Sequence, residues 1–375
     1  MHVAQINVLP VPAHIRPTDI FEQWPSLADV AEAVASAGTR VSVIQAATCD
    51  ERISRNGIDY HFTRVHPRDG ASRRGRHYAG VLEAIKADVL HVHSLGAGED
   101  AFAVSRCLPQ LPIILQDHAD RVPRWWRRPQ CRRWYRAASG VAFSAPELAQ
   151  PFLASGLLGA STRLFAIPES SSRFTQGSRA RAWAETGLYG DPCVVWVGHL
   201  SPGKDPLTVL EGVAQAALQL PNLQLWCAFG SAPLLAEVQQ RIERDPRLAG
   251  RVHLVGKVPH ARVESMMRAA DLFVSGSLAE SCGYALLEAM ACGVTPVVTN
   301  IPAFRALTGG GFIGKLWPRG QPARLAEALI DAAANRPSPE RVRAYFDATL
   351  SFAAVGRQWA DAYAQVLDER PRRAR

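Results

Sequence analysis

Short β-rich runs alternate with amphipathic helical segments along nearly the whole chain, and this alternation restricts the fold more than any other feature. "HVAQINVLP" reads as a first strand. Ser26, with Asp29 three residues on, can cap a helix whose apolar face carries Leu27, Val30, Ala31 and Val34. Gly38 ends that helix, and "TRVSVIQA" is the next strand. "DVLHVHS", "PIILQDH", "GVAFSA" and "RLFAIP" continue the series. Residues 169–192 are polar, punctuated by Gly and Pro, and read as a linker. The series then restarts with "CVVWVGHL", "LQLWCAFG", "RVHLVGKV", "DLFVSGS" and "VTPVVTN". Phe352, Val355, Trp359, Tyr363 and Val366 recur at helical spacing, which predicts a terminal helix with one buried face. The last residues, "ERPRRAR", read as a disordered basic tail. Such alternation builds parallel sheets covered by helices, so an α/β chain with two doubly wound domains is expected. They would span 1–172 and 173–350, with 351–375 returning toward the first. Ligands in such folds bind at the carboxyl ends of the strands, and two facing domains would leave a cleft between them.

Composition narrows the class. A chain of 375 residues can build two cores, and 47% hydrophobic with 20% charged residues is the balance of a soluble globular protein. No apolar run reaches the ~18–20 residues that span a bilayer. The start, "MHVAQINVLPVPAH", has no charged region followed by a long apolar segment, so no signal peptide is expected. The seven cysteines are scattered and never form CxxC, which fits neither a disulfide framework nor a zinc site. A reducing cytoplasm is the expected setting. The net charge of +8 points to an acidic ligand, an anionic membrane face or nucleic acid as partner.

The stretch "SLAESCGYALLEAMACGVTPVV" holds two glutamates, Glu280 and Glu288. As an acid/base pair for cutting glycosidic bonds they would need carboxyl groups ~5–9.5 Å apart. Eight helical residues rise about 12 Å, and side chains eight apart differ in direction by about 80°. Two separate holders of one ligand fit better. A helix beginning near Gly283 and running to Cys292 would offer its first amides to an anion such as phosphate. In "VVWVGHLSPGKDPLTVLEGV" a buried strand ends at Gly198, and the following loop carries His199 and Lys204. A lysine in such a loop is a reasonable phosphate ligand, although the GxxxxGK[ST] spacing of a Walker loop is absent.

These residues carry a resemblance. "GHLSPGKDPLTVLEGV", "RLFAIPESSSRF" and the long run from "VHLVGKVPHARVE" through "GYALLEAMACGVTPVV" resemble the family 4 retaining glycosyltransferases of the GT-B fold, with their E-x7-E motif. The resemblance implies two Rossmann-like domains and a nucleotide-diphosphate sugar as donor substrate, with no separate cofactor. It places Glu280 near the donor sugar hydroxyls and Glu288 on the nucleotide ribose. Lys204 matches the diphosphate-binding lysine, and Gly283 and Tyr284 fall where backbone amides meet the diphosphate. Gly256, Lys257 and Val258 lie in the segment that lines the nucleobase. In "LQDHAD", His118 matches a histidine beside the reacting carbon. The implied activity is transfer of a sugar to a glycan or lipid-linked acceptor hydroxyl, without a metal; no DxD motif is present to hold one.

The chain also departs from the family pattern. His199 stands where arginine is usual, and imidazole, with an ordinary pKa near 6.5, is not a permanent cation. "LPVPAHIRP" replaces a glycine-rich loop after the first strand, and Cys282 replaces the commonest aromatic. Another GT-B enzyme, such as an epimerase or phosphorylase, and a non-catalytic sugar-nucleotide or membrane-surface binder are the alternative readings. His91 and His93 share one strand face; without a third ligand they read as a hydrogen-bonded pair and not a metal site.

One further segment stands apart. "RVPRWWRRPQCRRWYRAASG" (121–140) holds seven arginines, three tryptophans and no acid. Pro129 is placed to open a helix with Cys131, Trp134, Tyr135 and Ala138 on one stripe and Arg132, Arg133 and Arg136 beside it. An outer helix with a solvated basic face is one reading. Contact of Trp125, Trp126 and these arginines with an anionic membrane surface is the other, which would make the protein peripheral at the inner face of the membrane. "RVHPRDGASRRGRH" (64–77) reads as a second basic loop. No nucleic-acid signature is present, so no nucleic-acid partner is expected.

Overall fold

The structure is a computed structural model that describes residues 1–368 apart from 25, 67 and 160. The basic tail "ERPRRAR" lies outside the described residues. Two compact units form: residues 1–170 with the segment from Phe352 onward, and Ser171–Ser351.

The first unit holds an eight-stranded sheet: β1 (His2–Asn7), β2 (Arg40–Ala47), β3 (Glu51–Arg55), β4 (Ile58–Arg64), β5 (Val89–His93), β6 (Ile113–Gln116), β7 (Gly140–Phe143) and β8 (Arg163–Ala166). Its order is β3-β4-β2-β1-β5-β6-β7-β8, and every pairing is parallel except β3 with β4. The sequence reading did not assign that hairpin. Its turn is Asn56-Gly57, both with positive φ (51° and 76°), the geometry of a two-residue hairpin turn. β3 is largely exposed, so it lacks the apolar alternation by which the other strands were recognised.

The second unit carries β9 (Cys193–Gly198), β10 (Gln224–Phe229), β11 (Val252–Gly256), β12 (Leu272–Ser275), β13 (Thr295–Thr299) and β14 (Lys315–Trp317). All pairings are parallel, in the order β11-β10-β9-β12-β13-β14. Renumbered within the unit this is 3-2-1-4-5-6, the strand order of the classic dinucleotide-binding sheet. Its topological switch point lies between β9 and β12, which pair through Leu272 and Val194. Central strands such as β12 (Leu-Phe-Val-Ser), buried along its whole length, are near-continuous apolar runs because helices cover both faces.

Two local expectations are corrected. Residues 169–192 are not a plain linker, since Arg179–Thr186 is helical. Ser178 caps it by accepting from Arg181 N, and Gly187 (φ 70°) closes it. Only Ala182 is fully buried there and Trp183 is tied by Nε1 to Ala269 O at 2.8 Å, so the helix leaves little apolar period in the sequence. The basic stretch 64–77 is likewise not all loop. A helix runs over Ala71–Ile85, and Arg74 on it forms a two-pronged ion pair with Asp100 (2.6 and 3.0 Å).

The terminal helix, Phe352–Asp368, packs in the first unit with Val355, Trp359, Tyr363 and Val366 buried. Trp359 stacks on His91 at 4.1 Å between ring centroids.

Candidate functional site

At the carboxyl ends of β9 and β12, the switch point of the second sheet, lies a cavity of about 390 Å³. Gly198 ends β9 in its wall and His199 and Lys204 follow; Ser275 ends β12 there, followed by Ser277 and Glu280. The start of the Tyr284–Ala291 helix closes one side, with Gly283, Tyr284, Ala285, Leu286 and Glu288 in the wall. Lys257 and Val258 line it from the segment after β11. Of the ten residues predicted from sequence, eight line this cavity; His118 lies in the other unit, and Gly256 is not in the wall. Gly256 is the last residue of β11, with φ 78°, and it turns the chain without lining the cavity.

Local structure explains each placement. Lys204 sits on a 3-10 turn (Pro202–Lys204), after which the Asp205 side chain caps the Pro206–Ala216 helix through Thr208 N. Leu278 N donates to Gly203 O at 2.9 Å, tying that turn to the loop after β12. The result is a direct ion pair of Lys204 Nζ with Glu280 Oε1. Sequence reasoning gave these two separate roles and did not foresee their contact. Gly283 has φ 69°, and a Cβ there would stand 2.9 Å from Phe304 Cε1, so both backbone and packing demand glycine. The helix it opens is otherwise apolar, burying Leu286, Leu287, Ala289 and Met290.

Glu288 is the one charged residue of that helix. Its Oε1 accepts from His260 Nε2 at 2.6 Å, and the His260 ring lies against Phe174 (4.6 Å between centroids). Burial pushes the Glu288 carboxyl above its usual value of 4.5, and His260 opposes that rise. The two glutamates therefore answer to different partners, Lys204 and His260, as separate holders would. A consequence is measurable. A carboxyl raised in the folded state favours folding below its unfolded pKa, and that contribution is lost as pH rises through the folded value. Glu288→Gln is thus expected to raise the unfolding midpoint at pH 7 and to leave it unchanged near pH 4. Urea titrations at both pH values check this; a lower midpoint at pH 7 would show that the His260 bond outweighs burial.

The cavity floor holds hydroxyls that sequence reading missed. Ser277 (1% exposed) meets Ser275 Oγ at 3.1 Å and accepts at its carbonyl from Thr299 Oγ1 at 2.6 Å. Trp196, Val263, Phe273 and Phe304 supply the apolar lining. His260 was also missed, for it stands 28 residues from Glu288 and nothing local marks it. Cys282 is 2% exposed and belongs to the hydrophobic cluster under the helix, so its place is in the core; Cys292 (6%) packs in the same cluster.

In the first unit, His118 follows β6 in a hydrogen-bonded cluster. Its Nδ1 pairs with Glu169 Oε1 at 2.8 Å, and Nε2 lies 3.2 Å from His93 Nδ1 and 3.3 Å from Gln116 Oε1. His91 and His93 do not bond each other; His91 joins Tyr363 Oη (2.7 Å) and Gln116 Oε1 (3.1 Å). Burial lowers both imidazoles, His93 to about 3, so they are uncharged at neutral pH, while burial pushes Asp117 up to about 6. Among the described residues no group of three or more His, Cys, Asp or Glu could hold a metal ion.

The Arg128–Tyr135 helix has Pro129 in its first turn and buries Cys131 and Tyr135, as the stripe predicted. Its arginines are partly engaged: Arg132 donates to Gly156 O and Ser155 O, and Arg133 lies over the Phe102 ring. Trp125 and Trp126 precede it, 74% and 53% exposed, with Arg124 over Trp126. Among the described residues no helix is long and apolar enough to cross a membrane.

Residues 183–347 match the family described as glycosyl transferases group 1. The chain is 32% identical over 206 residues to a D-inositol 3-phosphate glycosyltransferase 1 of Catenulispora acidiphila, covering 52% of this chain and 47% of that protein. It therefore spans about half the length of that relative. It is 27% identical over 315 residues to an alpha-maltose-1-phosphate synthase of Mycolicibacterium smegmatis, covering 77% of this chain and 80% of that one. The solved structure of Anabaena HepE in complex with UDP and glucose superposes with a TM-score of 0.67 at 18% identity, over 97% of this chain and 100% of that chain. Every residue lining the cavity falls within 183–347, so the segment that matches the glycosyl transferases group 1 family is the one that builds this site, in a chain whose two Rossmann-like units are those of the GT-B fold.

Proposed function

We propose that the chain is a metal-independent retaining glycosyltransferase of the E-x7-E family 4 type, which moves a sugar from a nucleotide diphosphate to a glycan or lipid-linked acceptor hydroxyl. The observation that carries this reading is the content of one cavity at the switch point. Cationic and N–H donors (Lys204, Lys257, His199, the helix start at Gly283) and two acids with separate partners line it together. That set suits a diphosphate flanked by two hydroxyl-bearing sugars.

In this reading Lys204 uses one of its three N–H donors on Glu280 and has two for phosphate oxygens. Glu280, oriented by that pair, accepts from a donor sugar hydroxyl, and Glu288, oriented by His260, from the ribose. Gly283 and Tyr284 present the helix start to the diphosphate, and Lys257 and Val258 border the base. As the glycosidic bond lengthens, the electron pair goes to the leaving diphosphate, where Lys204, His199 and the helix start stabilise it. The acceptor oxygen attacks the same face and its proton passes to a leaving phosphate oxygen. For His118, held at Nδ1 by Glu169, the reading keeps only what the resemblance implies, a histidine beside the reacting carbon.

Incubation with labelled nucleotide sugars and a lipid extract tests this directly. Transfer or slow donor hydrolysis is expected; donor binding with neither would favour the non-catalytic reading. For the first unit we propose peripheral contact with an anionic membrane, supported by exposed Trp125 and Trp126 beside Arg124. Co-sedimentation with phosphatidylglycerol vesicles is expected to fall on changing Arg132, Arg133 and Arg136 to Glu, and on changing both tryptophans to Ser. Unchanged binding in both would remove this surface.

A further inference from the structure

His199 follows the last residue of β9 and lines the cavity. Its Nδ1 lies 3.1 Å from the backbone nitrogen of Ser231. A backbone N–H only donates, so Nδ1 is the acceptor and carries no proton. In that tautomer the one N–H of the ring is at Nε2. The setting is clasped from both sides, because Leu200 N donates to Ser231 O at 2.9 Å and Gly230 N to Gly198 O at 3.3 Å. These bonds tie the exit of β9 to the exit of β10. The ring rests beside Gly230, where a Cβ would come within 3.5 Å of its Cε1. No hydrogen bond takes up Nε2 among the described residues.

We propose that His199 binds a diphosphate oxygen of the donor through a single Nε2–H, in a tautomer set by Ser231, in place of the arginine fork that the resembling family has at this position. The proposal rests on the reading of the cavity as a nucleotide-sugar site. An arginine brings two parallel donors and a permanent charge to phosphate, whereas this ring brings one directed bond. The charge facing the phosphates then comes from Lys204, Lys257 and the helix start, with Glu280 and Glu288 as the acids of the same wall. Ser231 is thereby a positioning residue that acts through its backbone, so its side chain is not under the same demand.

The test titrates UDP-glucose and GDP-mannose into the full chain as wild type, His199→Gln and His199→Asn. Glutamine sets an amide N–H near the position of Nε2, while asparagine reaches only to that of Nδ1. His199→Gln is expected to stay within about threefold of wild type, and His199→Asn to lose about 10- to 100-fold, the worth of a hydrogen bond to a charged group. Nitrogen-15 NMR of the imidazole, its signal identified by loss in His199→Asn, is expected to show the proton on Nε2. A proton on Nδ1, or equal affinities in all three forms, or an equal loss in both variants, would overturn the proposal while leaving the cavity reading in place. Failure of every form to bind either nucleotide sugar would remove the cavity reading, and this proposal with it.

Discussion

Lys204→Ala and Glu280→Ala are each expected to lower kcat/KM for sugar transfer by about 100-fold or more, the scale of losing a preorganised charge contact in a partly enclosed site. The two side chains are only 29% and 16% exposed. Removing either leaves the other charge without its partner, which costs more than the pair itself contributes. Lys204→Ala has a second consequence, because the Glu280 carboxylate then faces the anionic diphosphate uncompensated. Its loss should therefore be the larger, and nucleotide binding should weaken along with turnover. The double variant is expected to be no worse than Lys204→Ala alone, since the contact is shared and the effects of contacting groups do not add. Steady-state kinetics on all three variants, with isothermal titration of the nucleotide, separates these outcomes. Transfer unchanged in both single variants would sink the assignment of this cavity as the donor site. Additive losses would show that the ion pair is not kept when the donor binds.

The second large effect concerns stability. Gly356 lies in the Phe352–Asp368 helix, and a Cβ there would stand 2.1 Å from Ala33 O and 2.6 Å from Ala33 C. The terminal helix thus rests backbone to backbone on the Ser26–Ser36 helix. In an open helix Gly→Ala gains about 1 kcal/mol. Here the added methyl meets a carbonyl that cannot move aside, and the expected loss is on the order of 3 kcal/mol, or roughly 6–12 °C in Tm. Gly80→Ala, in the Ala71–Ile85 helix with nothing within 4 Å of the new carbon, is the control and should be neutral or stabilising. Equal responses at the two sites in a thermal melt would contradict the close approach. Lifting the terminal helix would also disturb Trp359 and Tyr363, which hold His91 at one end of the cluster that includes His118.

Much of the fold was readable along the chain because most strands are central and buried on both faces, so each appears as a compact apolar run between turn residues. The exceptions share a cause. β3 is exposed and β14 spans three residues, so neither carries a run long enough to stand out. The Arg179–Thr186 helix buries a single alanine fully and leaves no stripe. In the cavity, Glu280, Gly283 and Glu288 were readable together because one loop and one helix start deliver all three, and local geometry suffices to place them. Lys204 and His199 were readable for the same reason after β9. Gly256 was grouped with its neighbours Lys257 and Val258, but a turn of positive φ takes it out of the wall.

Sequence alone determined the two doubly wound units, the helix start at Gly283 and the positions of most of the charged residues of the cavity, since periodicity, capping and turn chemistry act over a few residues. Tertiary structure decided which charges meet. Lys204 is set on Glu280, Glu288 on His260, and His199 on the backbone of Ser231. Each pair joins segments that follow different strands, and only the parallel pairing of the strands brings those segments to one end of the sheet. A hydrogen bond needs its partners within about 3 Å, and no property of either residue's own neighbourhood specifies a partner dozens of positions away.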